Sequence, residues 1–157
     1  MYKRILVPTD GSDLALRAAE HGMALAKVLG ASVVGLYASP PFEAPAGFEF
    51  VPAPLLPVDL YEKSTKEAAR RHLGKLEQAA AKAGVPFSAK HVRSMTPADA
   101  IVAVADTAKC DLIVMGSHGR GSVSQVFLGS VTTRVLATCS VPVLVHREGK
   151  PRRRGKR

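Results

Sequence analysis

Tryptophan is absent from this chain of 157 residues, cysteine occurs twice, and aromatic residues make up 5% of the sequence. Cys110 and Cys139 stand at no spacing typical of a metal site or a redox motif, so we expect reduced thiols and no disulfide framework. No apolar run reaches the roughly 18 residues that cross a bilayer, and the start "MYKRILVPTDGS" is too polar for a signal peptide. The sequence therefore predicts a cytoplasmic protein without a membrane segment.

Positive charge dominates the chain, with a net charge of +9, but it is concentrated at the end. The last eleven residues, "REGKPRRRGKR", hold seven basic residues against one Glu, a net of +6, which leaves +3 for the rest. Residues 148–157 are interpreted as a disordered, solubilising tail. The alternative is binding to the phosphates of nucleic acid or acidic lipid, although no aromatic residue stands in the tail to stack on a base.

Short apolar runs alternate with amphipathic ones over the remaining residues. Strands are predicted at Arg4–Pro8, Ser32–Ala38, "FSAKHV" (87–92), "DLIVMG" (111–116) and "VPVLVHR" (141–147). Helices are predicted from Ser12 or Asp10 to Gly30, over Leu60–Ala83, from the cap Thr96 with Pro97 in the first turn, and up to about Thr138. This alternation predicts a single-domain α/β fold: an open, Rossmann-like, five-stranded parallel sheet with helices on both faces.

Two polar loops follow strands in this pattern. "PTDGSD" leaves the first strand, and "MGSHGRGSVSQVFLGSV", at 115–131, leaves the fourth. In open parallel sheets, ligands bind beyond the carboxyl ends of the strands where the strand order reverses. If these two strands are neighbours, both loops face one crevice.

The second loop combines glycine with the start of a helix, which is typical of an anion site. Its bare backbone lets a phosphate approach closely, and Ser130 and Thr132 are predicted to donate hydroxyl hydrogen bonds to phosphate oxygens. Arg120 adds a positive charge, and Asp10 supplies an acceptor for a ribose hydroxyl or a magnesium ion. The alternative is a tight turn that only caps the helix. The loop is neither a Walker loop nor a dinucleotide fingerprint.

These residues resemble the universal stress protein family. The family pattern G-x2-G-x9-G-[ST] is met by Gly116, Gly119, Gly129 and Ser130, and "ILVPTDGSDLALRA" and "VPVLVHR" match in order and position over residues 1–147. The resemblance implies an adenine nucleotide alpha hydrolase-like fold that binds ATP with magnesium, and a homodimer through the last strand, Val141 to Val145. The implied nucleotide-binding residues are Pro8, Thr9, Asp10, Ala38, Met115, Gly116, Gly119, Arg120, Gly129, Ser130, Val131 and Thr132, with Asp10 also the metal candidate.

The function expected from this reading is a nucleotide-dependent stress-response or signalling module, in which nucleotide occupancy alters the dimer or the surface offered to a protein partner. A slow ATP-hydrolysing enzyme is one alternative, but Asp10 is the only base in view. His118 is expected to be exposed, with no carboxylate or serine spaced to orient it. Nucleic-acid binding through the tail is the other alternative.

Two further features leave alternatives open. Residues 39–58 carry many prolines and are predicted to form either a lid over the adenine or a mobile linker. The last strand is apolar and lies at an edge of the inferred sheet, which invites pairing with a second copy. The alternative there is a monomer whose edge is guarded by Arg147 and the basic tail.

Overall fold

The computed structural model describes residues 1–43, 51–52, 55, 57–119 and 128–147. The strands in these ranges are Arg4–Thr9 (β1), Ser32–Ser39 (β2), Phe87–Arg93 (β3), Leu112–Gly116 (β4) and Val143–His146 (β5). The helices are Asp13–Leu29 (α1), Val58–Ala83 (α2), Pro97–Thr107 (α3) and Ser130–Thr138 (α4). All strand pairs are parallel, in the order β3-β2-β1-β4-β5.

The core has two layers of side chains, one on each face of the sheet. Ile5 and Val7 of β1 pack with buried residues of α1 and α2, such as Met23 and Leu76. Leu6, between them in β1, points to the opposite face and packs among residues of α3 and α4. Successive strand residues point to opposite faces, so one continuous apolar run serves both layers. The prediction of an open parallel sheet covered on both faces is confirmed.

The helix starts show which residues act as caps. Ser12 is the cap of α1, since its hydroxyl oxygen accepts a hydrogen bond from the amide of Ala15 at 3.2 Å. Asp10 acts one step earlier, with its carboxylate accepting from the amide of Ser12 at 3.0 Å. At α3 the cap is Thr96 as predicted, but its side chain makes no capping bond. The Ser94 hydroxyl instead bonds to the backbone of Thr96.

Pro8 does not stop β1, which corrects the predicted end of that strand. β1 runs on to Thr9, and Pro8 lies in register with Leu36 of β2. The carbonyl oxygen of Arg4 accepts a hydrogen bond from the amide of Asp111, the residue before β4. Since backbone groups alternate in direction along a strand, those of every second residue of β1, including Pro8, also point toward β4. The pairing of β1 with β4 extends only to Leu6↔Ile113. The missing N–H of Pro8 therefore falls where the β1–β4 seam opens, and it costs no ladder bond to β2.

The order of the strands reverses between β1 and β4. From β1 the chain moves outward through β2 to β3, and from β4 it moves outward in the opposite direction to β5. The loops after β1 and β4 therefore leave the same edge of the sheet side by side, which meets the condition on which the predicted crevice depended.

Candidate functional site at the β1–β4 seam

A cavity of about 570 Å³ opens at the carboxyl ends of β1, β2 and β4. Its size is that of a typical small-molecule site. Eleven of the twelve residues predicted to bind a nucleotide line it. They are Pro8, Thr9 and Asp10 after β1, Ala38 of β2, Met115 and Gly116 of β4, Gly119 and Gly129 of the loop, and Ser130, Val131 and Thr132 of α4. The twelfth, Arg120, lies outside the described residues.

Six more lining residues were not predicted from the sequence. They are Ala15, Leu36, Pro97, Ile101, His118 and Leu128. Leu36 stands two residues before Ala38 in the same strand, so the alternation of strand side chains could have indicated it. Ile101 lies on the buried side of α3, and only the placement of α3 over β2 brings it to the cavity.

The inner wall of the cavity is apolar. Leu36, Ile101 and Met115 come from two strands and a helix, and all three are buried in the same layer of the core. Apolar side chains in a fixed wall suit the flat face of a ring, since burying such a face gains about 25 cal/mol for each Å². This wall can therefore hold the planar, weakly polar part of a ligand.

The opposite end of the cavity is formed by the start of α4, which has no side-chain cap. Its capping residue is Gly129, which has no side chain to offer, and the first turn holds no acidic residue. The first amides of a helix lack partners inside the helix and carry the positive end of its dipole. Ser130, Val131 and Thr132, which contribute these amides, all line the cavity. The arrangement suits an anion such as a phosphate.

The glycines of this loop are required by contacts within the protein itself. A Cβ on residue 119 would lie 2.6 Å from Oδ2 of Asp10, and one on residue 129 would lie 3.0 Å from Cα of His118. Gly119 thus lets the loop after β4 touch the carboxylate that follows β1. Bare backbone at residue 119 brings the two loops together, and bare backbone at residue 129 lets the end of the loop after β4 pack against its own beginning at His118.

The role predicted for the Thr132 hydroxyl needs a correction. Thr132 is 2% exposed, and its hydroxyl donates to the carbonyl oxygen of Gly116 at 3.0 Å. A hydroxyl has one proton, so this group is not the phosphate donor that the sequence predicted. The backbone amides of Ser130, Val131 and Thr132 and the hydroxyl of the exposed Ser130 remain the donors of the first turn.

The prediction that no serine orients His118 is also wrong. The hydroxyl oxygen of Ser117 lies 3.0 Å from Nδ1 of His118, and His118 is a half-buried residue of the cavity lining. The sequence did place the two residues side by side. What it could not indicate was that Ser117 is buried and turns its hydroxyl back onto the next side chain.

The two thiols lie far from this cavity in the fold. Cys110 and Cys139 precede β4 and β5, at the amino edge of the sheet, and both are free. Burial raises the pKa of the Cys110 thiol to about 11, which keeps it protonated and a poor nucleophile. Within the ranges that the structure describes, no group of three or more His, Cys, Asp or Glu residues could hold a metal ion, and no helix is long and apolar enough to span a membrane.

The fold and the cavity together define a doubly wound α/β protein with a cavity at the switch point of its parallel sheet, where ligands bind in such sheets. The family model of the universal stress protein family matches residues 1–147, and the chain belongs to that family.

Individual relatives agree with this assignment. Universal stress protein MJ0531 of Methanocaldococcus jannaschii is 35% identical over 153 residues, covering 96% of this chain and 85% of the relative. The solved structure of the hypothetical protein MJ0577 of the same organism superposes with a TM-score of 0.79 at 28% identity, covering 96% and 99% of the two chains. A universal stress protein solved in complex with cAMP gives a TM-score of 0.66 at 26% identity, covering 93% and 97%.

Proposed function

We propose that this protein binds ATP in the cavity at the β1–β4 seam and acts as a nucleotide-dependent stress-response or signalling module. The observation that carries the proposal is the presence, in one cavity, of an apolar wall and an uncapped helix start. The apolar wall suits an adenine ring, and the amides of α4 suit the phosphates. A similar family member was solved with cAMP, an adenine nucleotide.

The polar residues between these two ends fit the rest of the nucleotide. Asp10 and Thr9 stand at the cavity rim after β1, where a ribose would lie between the adenine and the phosphates. The Asp10 carboxylate accepts from the amide of Ser12, and a carboxylate offers about four acceptor positions in all. It is the candidate to accept from a ribose hydroxyl or to hold magnesium through ATP.

The test is to identify the small molecule that copurifies with the protein by mass spectrometry, and then to titrate the stripped protein with ATP in a calorimeter. Binding of ATP to the unmodified protein, with a loss of more than tenfold in Ile101→Asp, is expected because a charge in the apolar wall would oppose the adenine. Leu60→Asp, at an exposed position on α2, is the matched control and should keep full affinity. Absence of ATP binding by the unmodified protein would contradict the proposal.

Turnover is expected to be slow. No carboxylate among the cavity residues other than Asp10 is available to activate water in the described part of the chain. We expect steady-state hydrolysis below about one ATP per minute, far under the enzyme median of about 10 per second. A rate near that median, abolished in Asp10→Ala, would show an enzyme instead.

The module is proposed to work as a cytoplasmic homodimer through β5. β5 is an edge strand, and its Leu144 is 40% exposed, so two copies related by a two-fold axis can pair their edges. Leu144→Lys should shift the dimer to monomer in sedimentation, since the charge would lose water at the contact. Val28→Lys, which alters an exposed apolar residue of α1, should leave the dimer intact. A monomeric unmodified protein at micromolar concentration would exclude this assembly.

A further inference from the structure

Ser117, the buried residue before His118, is held by hydrogen bonds on three sides. Its amide donates to the carbonyl oxygen of His146 in β5 at 2.8 Å, and its own carbonyl accepts from the amide of Gly129 at 2.8 Å. Its hydroxyl oxygen lies 3.0 Å from Nδ1 of His118, and the residue is 3% exposed. This serine therefore ties the loop after β4 to both the edge strand and the start of α4.

These hydrogen bonds of Ser117 fix the position of the next residue, His118. Its Cα lies 3.0 Å from the point where a Cβ of residue 129 would be, so the histidine sits directly beside the capping residue of α4. His118 lines the cavity together with Ser130 and the other residues of that first turn. An anion held by the amides of α4 would have this ring as a neighbour.

The hydrogen bond between Ser117 and Nδ1 leaves Nε2 as the ring nitrogen that can meet a ligand. Among the described residues, the contact of Nδ1 with Ser117 is the ring's one hydrogen bond. When the hydroxyl donates to Nδ1, the ring proton resides on Nε2, which is then a donor. In the imidazolium both nitrogens carry protons, the hydroxyl accepts, and Nε2 is again a donor. The serine can serve either state without moving.

We propose that Nε2 of His118 donates a hydrogen bond to the phosphate chain of the bound nucleotide, and that Ser117 is the positioning residue that orients it. This inference rests on the proposed function. The contact is made beyond the ribose, at the end of the cavity that holds the phosphates, so it favours nucleotides with a longer phosphate chain over AMP. His118 thereby sets the selectivity of the site for the length of that chain.

The experiment is calorimetric titration of the full chain with ATP, ADP, AMP and adenosine. His118→Ala should weaken ATP binding about tenfold, the value of one hydrogen bond to a charged group, and change AMP binding less than about twofold. His118→Gln, whose amide nitrogen can reach the place of Nε2, should restore most of the ATP affinity. His118→Asn, whose amide nitrogen replaces Nδ1 instead, should not restore it. Ser117→Ala should weaken ATP binding about threefold with the same preference for the longer chains.

The comparison between glutamine and asparagine separates a phosphate contact from a structural role. Equal losses for all four ligands in His118→Ala, or equal behaviour of the two amide variants, would overturn the assignment of Nε2 while leaving the nucleotide site intact. Unchanged ATP affinity in His118→Ala would also overturn it. If the unmodified protein bound none of the four ligands, the proposed function would fail first, and the role of His118 with it. Thermal melts of each variant check that the fold is kept.

Discussion

Of the helices that begin at the carboxyl edge of the sheet beside the cavity, α1 and α4 begin in opposite ways. At α1, Ser12 accepts from an amide of the first turn, and Asp13 adds a negative charge there. At α4, Gly129 has no side chain, and the first turn has no acidic residue. The start of α1 is thus satisfied by the chain itself. At α4, among the described residues, no side chain caps the helix start, and the residues of its first turn line the cavity.

This difference is reinforced by the one polar side chain buried in the first turn of α4. Thr132 turns its hydroxyl away from the helix start and donates to Gly116 in β4. The helix is thereby fastened to the sheet without its amides being covered. A helix start can thus be stabilised by a side-chain hydrogen bond to a neighbouring strand while its first backbone amides stay accessible to a ligand.

The largest effect is expected from adding side chains at the glycines of the loop that leads into α4. Gly119→Val should weaken ATP binding more than tenfold, because its Cβ would collide with the Asp10 carboxylate and push the two loops apart. Gly129→Val should act similarly through His118. Gly74→Ala adds a Cβ where nothing lies within 4 Å and is the matched control. Calorimetry that finds full affinity in both valine variants would remove the loop from the site.

A second variant tests the hydrogen bond by which Thr132 joins α4 to β4. Thr132→Val keeps the shape of the side chain but leaves the Gly116 carbonyl without its hydroxyl donor, so the free energy of unfolding should fall by about 1–2 kcal/mol. ATP affinity should fall less than tenfold, because the backbone amide stays. Thr133→Val, at an exposed position, should do neither. If Thr132→Val lost ATP affinity but kept its stability in denaturant titrations, the Thr132 hydroxyl would be a phosphate donor after all.

Removing the cap of α1 should have the reverse pattern. Ser12→Ala should lower the free energy of unfolding by about 1 kcal/mol and leave ATP affinity within twofold, because this helix start does not serve the ligand. Ser12→Asp restores a capping oxygen and should recover the stability. If Ser12→Ala weakened ATP binding as strongly as Gly119→Val, the two helix starts would not differ in the way described.

The smallest effect is expected at His91 in β3, the edge strand that β2 separates from β1. Burial, together with Arg93, lowers the pKa of His91, although Glu62 acts in the opposite sense. The folded protein therefore binds fewer protons here than the unfolded chain. The contribution of the uncharged His91 to the free energy of unfolding is therefore present above its ordinary pKa and is lost as pH falls toward the lowered pKa. Melting temperatures of His91→Gln should fall less steeply below about pH 6.5. An unchanged slope would contradict this linkage.

The sequence indicated the fold and most of the site because both depend on local patterns. Continuous apolar runs with glycine stops predicted the strands and helices, and the strand-to-loop transitions at Pro8 and Met115 predicted the edge at which a ligand would lie. The lining residues Ile101 and Pro97 could not be predicted, since they reach the cavity only through the packing of α3 on β2.

Hydrogen-bond direction was the other feature that the sequence could not provide. Thr132 was assigned to a ligand and donates to Gly116 instead, while His118 was expected to lack an orienting serine and has one in Ser117. In both cases the residue type was informative, but which partner a hydroxyl selects depends on burial that only the folded chain reveals. Residues 148–157, half of the proline-rich segment 39–58 and Arg120 lie outside the described residues, so the predictions for them stay predictions.

Pro8 gives the cavity a property that does not depend on any ligand. Its ring nitrogen has no hydrogen to offer β4, so one of the ladder bonds that would close the seam at this point cannot form. A ligand that enters beyond the last pair of β1 and β4 has no such bond to break. In this sense the site is preorganised by a covalent feature of a single residue, which lowers the conformational cost of binding.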